Sequence, residues 1–423
     1  MSGASRVDRP GRKGARAVGL HIVQTDTPAP APGAGAGGRW RPSWATGSDL
    51  PPASGAWRPG DPVGRRQFCD IGPLPLEAGG LLPDVRIAYE TWGTLAPSGD
   101  NAVLVLHALT GDSHVTGDAG PGHPTAGWWA DLVGPGRPID TDTWFVVAPN
   151  VIGGCQGTTG PSSPAADGRP WGSRFPYTTV RDQVAAEIAL TDAIGVDTWA
   201  LVIGASMGGM RVLEWGVMAP DRVRGIAPIA TCAQTTGDQI AWAHAQLAAI
   251  RSDAGWHGGD YYTAGPDEGP HLGMGIARQI AHTTYRSATE LDTRFGRAPQ
   301  DGELPLGGRG RFAVQSYLDH HARKLAWRFD ANSYLALTEA ILSHDVGRDR
   351  GGVGAALATV SAQALVVAVS SDRLYLPEQS EQLAAALPGA DGVHLVQSEF
   401  GHDGFLIESD QVGAMVAGIL RRV

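Results

Sequence analysis

The chain has 423 residues, 42% of them hydrophobic and 18% charged, enough for one large α/β domain with an insertion or for two domains. A formal net charge of −10 argues against a nucleic-acid binder. Three widely spaced cysteines (Cys69, Cys155 and Cys232) contain no C-x-x-C pair, so neither a disulfide framework nor a metal site is indicated, and a reducing compartment fits.

No apolar run approaches the ~18 residues that span a bilayer. The N-terminus lacks the apolar stretch and cleavage site of a secretory peptide. A cytoplasmic protein without membrane contact is expected. Residues 1–56 are rich in Gly, Pro, Ala and Arg, and Pro28 to Gly38 is nearly all Pro, Ala and Gly. Such a stretch buries too little apolar surface to offset its ordering entropy, so it reads as a disordered tail. Its five basic residues between Arg6 and Arg16 read as solvated.

From residue 57 the pattern changes. Asp84 to Thr91 alternates polar and apolar residues, as an exposed strand does. Ala102 to Leu106 and Trp144 to Ala148 read as buried strands. Thr179-Val180-Arg181-Asp182 opens a helix with a capping box, its apolar face carries Val180, Val184 and Ile188, and Gly195 closes it. A buried strand, Trp199 to Ile203, leads into Gly204-Ala205-Ser206-Met207-Gly208, and a helix follows from Gly209 to Trp215. Between residues 234 and 345 the rhythm stops, and helical stretches such as Ser333 to Leu342 indicate a helical lid. Strands return at Ala364 to Val369 and Val393 to Val396. Buried strands alternating with helices indicate a mainly parallel central sheet flanked by helices, so the core is expected over 57–233 and 346–423.

Gly-x-Ser-x-Gly between a strand and a helix is a nucleophile elbow, which holds a serine oxygen exposed at the end of a sheet. A serine needs a base, and the base needs an orienting group. In this architecture they follow in the order Ser, acid, His. Asp372 and His402 stand on loops after the last two strands, at the same sheet edge as Ser206, which makes Ser206, Asp372 and His402 the expected triad. Asp403 is an alternative acid, but its adjacency to His402 makes the hydrogen bond awkward. Backbone N–H groups of an oxyanion hole are expected from Met207 and from the loop 106–112, with Leu109 first and Thr110 second. His107 reads as a buried histidine bonding that loop.

Several runs together resemble the homoserine O-acetyltransferase family of α/β hydrolases. They are His107 to Asp112, Asn150 to Pro161, Trp171 to Pro176, the elbow, Ile276 to Ser287 and the two triad loops. The resemblance covers roughly residues 60 to 420 and leaves the long N-terminal tail outside it. It implies an α/β-hydrolase fold and a ping-pong transfer of acetyl from acetyl-CoA, as substrate, through acetyl-Ser206 to the hydroxyl of L-homoserine. It implies that Arg278 binds the homoserine carboxylate, that Tyr285 assists and that Asp403 binds the ammonium. It also implies a homodimer, a place in methionine biosynthesis and no resident cofactor. A plain esterase, an acyltransferase using succinyl-CoA or another alcohol, and a non-catalytic binding protein remain as other readings of the same triad.

Overall fold

The computed structural model describes residues 50–423 except Asp267 and Arg309. Eight strands form one sheet: β1 (Gln67–Pro75), β2 (Leu81–Trp92), β3 (Ala102–Leu106), β4 (Phe145–Pro149), β5 (Leu201–Ala205), β6 (Gly225–Ile229), β7 (Gln363–Val369) and β8 (Ala390–Val396). Their spatial order is β1-β2-β4-β3-β5-β6-β7-β8. β1 and β2 pair antiparallel, β2 meets β4 antiparallel, and every later neighbour is parallel. This is the mostly parallel sheet expected from the sequence.

Two layers of side chains cover the parallel strands. On one face Val103, Val105, Ile203, Ile229 and Val367 pack with Val412, Val416 and Ile419 of helix α11 (Ser409–Leu420). On the other, Leu104, Leu106 and Val202 pack with Val184 of α1 (Val180–Ala193) and Val212, Leu213 and Trp215 of α2 (Met207–Met218). Strands buried on both faces have no polar alternation, which is why β3 and β5 read as continuous apolar runs. Each such aliphatic contributes about 1.5–3 kcal/mol by leaving water.

The capping box at α1 is present: the Thr179 side chain accepts from the Asp182 N–H, and Asp182 accepts from the Thr179 N–H. Val180 and Val184 are buried and Ile188 half-buried. The helix ends at Ala193, and Gly195 follows with φ 72°.

Helices α3 (Gly237–Arg251), α4 (His271–Tyr285), α5 (Ala288–Arg294), α6 (Ala313–Arg328) and α7 (Ala331–Leu342) follow β6 with no strand of the main sheet among them. A bridge between Gln234 and Asp345 brings the ends of this segment together. Helices α8 (Val353–Leu357), α9 (Pro377–Ala386) and α10 (Gly404–Ile407) complete the set with α11.

Three details differ from the sequence reading. β1 was not anticipated, because its residues include Gly72 and Pro73 and pair with two register shifts. β2 is therefore an interior strand with neighbours on both sides, although its outward residues stay polar. Of the segment read as a tail, residues 1–49 lie outside the described residues, whereas 51–56 are packed. Ser54 donates to Asp330 at 2.7 Å and the Gly55 N–H to the Phe329 carbonyl at 3.1 Å. Composition over a window does not register so short an anchor.

Candidate active site

Ser206 joins β5 to α2 with φ 57° and ψ −123°. A non-glycine residue there is strained, and such strain persists only where the surroundings fix it. Here the Ser206 N–H bonds the Ile229 carbonyl at 2.9 Å, and its own carbonyl accepts from the Thr231 hydroxyl at 2.8 Å. The flanking glycines allow the close approach. A Cβ on Gly208 would lie 2.1 Å from the Leu106 carbonyl oxygen, and one on Gly204 2.7 Å from the backbone of Gly208. The turn after β3 is thus held directly over the start of α2.

Asp372 and His402 meet on the loops after β7 and β8. His402 Nδ1–H donates to Asp372 Oδ2 at 2.6 Å. The other carboxylate oxygen accepts from the backbone N–H groups of Leu374, at 2.8 Å, and Tyr375, at 2.9 Å, so the acid is fixed in orientation. The Gly401 N–H donates to Ser371 Oγ at 2.9 Å and ties the two loops. Burial alone would push His402 down. The Asp372 charge and its hydrogen bond outweigh that, and the ring is held above its ordinary pKa. Asp403 is not the orienting acid: it faces Arg286, whose Nη1 lies 3.3 Å from Oδ2.

Tyr375 was not singled out from the sequence. It is buried, its ring centroid lies 5.1 Å from that of His402, and its hydroxyl comes close enough to Ser206 to interact with it. It stands between the elbow and the triad loops. Its only sequence signal is its place three residues after Asp372.

The turn from Ala108 to Gly111 is closed by Gly111 N–H to the Ala108 carbonyl at 2.9 Å, with Leu109 and Thr110 at its corners. Among the described hydrogen bonds, neither Leu109 N–H nor Thr110 N–H has an acceptor. The turn is anchored from three sides. His107 Nδ1–H donates to the Ala108 carbonyl at 2.8 Å, and its Nε2 accepts from the Val151 N–H at 3.1 Å. His107 is therefore the neutral, buried loop histidine read from the sequence, pushed down to about 3 chiefly by burial and also by Arg211. Buried Arg211 of α2 donates to the His107 carbonyl and to Glu187 of α1. Arg328, at the end of α6, donates to the Thr110 carbonyl.

Arg278 and Tyr285 share one face of α4, as their seven-residue spacing requires. The guanidinium lies 5.3 Å from the Tyr285 ring centroid, and Tyr285 lies 5.8 Å from the His402 ring. Arg278 Nη1 is buried with no hydrogen-bond partner among the described residues. A buried cationic donor left unsatisfied costs free energy unless an anion reaches it. Asp403 lies within the field of both Arg278 and Arg286. Burial nevertheless dominates and raises its carboxyl above the ordinary range.

Glu90, His114 and His123 form a buried cluster with ligand-type atoms close together. They do not fit an ion. His114 donates through Nδ1 to Glu90 at 3.0 Å and through Nε2 to the Asp118 carbonyl at 3.2 Å. His123 Nε2 accepts from the Arg65 N–H at 3.0 Å. The two rings stack at 3.9 Å and 12°, and His114, donating through both nitrogens, offers no lone pair to an ion. The cluster instead joins β2 to the segment after β3.

A serine at an elbow, an Asp–His pair on the loops after β7 and β8, and uncommitted N–H groups in the turn after β3 define an α/β-hydrolase site suited to acyl transfer. Residues 101–408 match the family model described as alpha/beta hydrolase fold. The chain is 61% identical over 370 residues to the homoserine O-acetyltransferase of Thermobifida fusca (strain YX), covering 87% of this chain and 97% of that one. It belongs to the homoserine O-acetyltransferase family and is an acyltransferase. Among solved structures, homoserine O-acetyltransferase from Bacillus anthracis superposes with a TM-score of 0.76 at 24% identity, covering 84% of this chain and 97% of that one. Esterase E22 does so with the same TM-score and identity, covering 84% and 99%. At that identity both likenesses speak for the fold alone.

Proposed function

We propose that the protein transfers an acetyl group from acetyl-CoA to the side-chain hydroxyl of L-homoserine, in two steps through acetyl-Ser206. In the first step His402 Nε2 takes the Ser206 proton as Oγ attacks the thioester carbonyl. The carbonyl oxygen gains charge and accepts from the N–H groups of Met207 and of Leu109 or Thr110. The C–S bond then breaks, and the CoA sulfur leaves with the proton from His402. In the second step His402 takes the homoserine hydroxyl proton, the hydroxyl oxygen attacks the acetyl carbon, and Ser206 leaves protonated. Asp372 keeps the His402 ring in the required tautomer throughout.

The observation that carries this reading is Arg278 Nη1, buried beside the Tyr285–His402 ring pair with no partner among the described residues. An ester hydrolase needs no cation for its acceptor, because its acceptor is water. An amino-acid acceptor brings a carboxylate, which a planar guanidinium binds bidentately, and an ammonium, for which Asp403 is the nearby acid. Held there, the acceptor gains an effective molarity of ~10⁵ M or more, enough to outcompete water for the acyl-enzyme. The product is an O-acyl amino acid of methionine biosynthesis, and the reading carries with it a cytoplasmic homodimer.

The test is thiol release from acetyl-CoA and from succinyl-CoA, each with and without L-homoserine. Fast release from acetyl-CoA that requires homoserine, with O-acetylhomoserine formed, supports the reading. Release that is equal without homoserine makes the protein an esterase. Preference for succinyl-CoA changes the donor.

A further inference from the structure

A cavity of about 670 Å³ lies beside α6, away from Ser206 and His402. Its walls combine two features. One is a set of cations from the last turns of α6: Arg323, Lys324 and Arg328. The other is a pair of tryptophans: Trp57, half-buried, and Trp327, whose side chain is 40% exposed. Asp61 is the one acidic residue among the lining residues. Lys324 has no ion-pair or hydrogen-bond partner among the described residues, and Arg328 reaches its acid, Asp112, only at 3.9 Å. A large exposed indole beside surplus positive charge suits a ligand with an aromatic base and several phosphate charges.

Two connections join this cavity to the reacting centre. Arg328 lines it and donates to the Thr110 carbonyl, in the turn opposite Ser206. Tyr317, His321, Lys324 and Arg328, spaced four, three and four residues apart, run along one face of α6. At the far end of that face Tyr317 hydrogen-bonds His282 at 2.7 Å and His321 stacks on it at 3.9 Å, one turn along α4 from Arg278. Arg328 is thus the side chain that both lines the cavity and touches the turn opposite the serine.

We propose that this cavity binds the nucleotide end of the acyl donor, with adenine against Trp327 and Trp57 and the phosphates against Lys324 and Arg323, while the pantetheine arm passes Arg328. This rests on the reading of a coenzyme A thioester as donor. The site is separate from the acceptor site at Arg278, so the two substrates are recognised by different parts of the same helical segment.

The experiment uses the full chain and two measurements. The first compares acetyl-CoA with S-acetylpantetheine, which lacks the nucleotide. Lys324→Glu is expected to raise the KM for acetyl-CoA by roughly tenfold or more, and Trp327→Ala to raise it in the same direction. The KM for S-acetylpantetheine should move less than about twofold, since that donor reaches none of these groups. Equal changes for both donors, or none for acetyl-CoA, overturn the assignment. The second is calorimetric titration with adenosine 3′,5′-bisphosphate, which needs no turnover. Binding by the unaltered protein that is lost in Lys324→Glu supports the site even if acetyl-CoA is not turned over, in which case only the donor reading fails. No binding by the unaltered protein, with acetyl-CoA turnover intact, removes the site and leaves the proposed function standing.

Discussion

Arg278 is the residue on which the proposed acceptor depends. Its buried Nη1 has no hydrogen-bond partner among the described residues, and a carboxylate would satisfy it. Arg278→Ala is expected to raise the homoserine KM by about 30-fold or more, the usual cost of truncating one partner of a buried charge pair. Acetylation of Ser206 without homoserine should be largely retained, as mass spectrometry of the intact protein would show. A normal homoserine KM would remove Arg278 from acceptor binding. His402 carries a second expectation. It works as a base only when neutral, and Asp372 holds it above 6.5 despite its burial. The acid limb of kcat/KM should therefore inflect above pH 6.5, with activity lost as pH falls through that point. An inflection well below 6.5 would mean that another group limits the rate.

At the scale of elements, the elbow works because a strand, a turn and a helix come closer than side chains permit. Gly208 faces a backbone carbonyl, Leu106 O, which cannot swing aside as a flexible side chain would. Gly208→Ala should therefore push α2 away from the turn after β3, at a cost of about 1–3 kcal/mol in stability. The same shift moves Met207 N–H relative to the Leu109–Thr110 turn. A displacement near 1 Å costs roughly 10²-fold in rate, so activity should fall far more than stability. Urea denaturation beside steady-state kinetics separates the two, and wild-type kinetics in a folded variant would show that the approach is not needed. Arg211 couples the same elements, since it reaches His107 in the loop and Glu187 on α1 from α2.

Over the whole molecule, several histidines are buried in neutral form without taking part in the proton transfers. His344 accepts burial with one bond to the Cys232 carbonyl, at 3.2 Å, and burial pushes it down to about 4. His107 lies at about 3. The unfolded chain takes up protons on these rings near pH 6.5 and the folded one does not. Each therefore contributes stability present above that pH and lost as pH falls toward 4 or 3, at about 1.4 kcal/mol per pH unit. His344→Gln should flatten the fall in stability between pH 6.5 and 4.5 by about one such share, as read from urea midpoints across that range. An unchanged slope would mean that His344 already titrates normally when folded.

The sequence by itself determined the parallel-sheet architecture and placed Ser206, Asp372 and His402, in that chain order, on turns after its strands. Those features are local: fully apolar strands have period and length visible in a window, and Gly-x-Ser-x-Gly between a strand and a helix is a covalent spacing. The Arg278–Tyr285 pair came from the family resemblance, and their seven-residue spacing put them on a common helix face. Tertiary structure alone decided the rest. β1 was invisible because its pairing is irregular, and residues 51–56 because their anchors, Phe329 and Asp330, are more than 270 residues away. Tyr375 lies beside Ser206 only because β7 ends next to β5's turn with β6 between them. The cavity lined by Trp57 and Lys324 is assembled from segments with no sequence relation. Burial, closeness and missing partners are properties of the folded packing, and a linear pattern does not contain them.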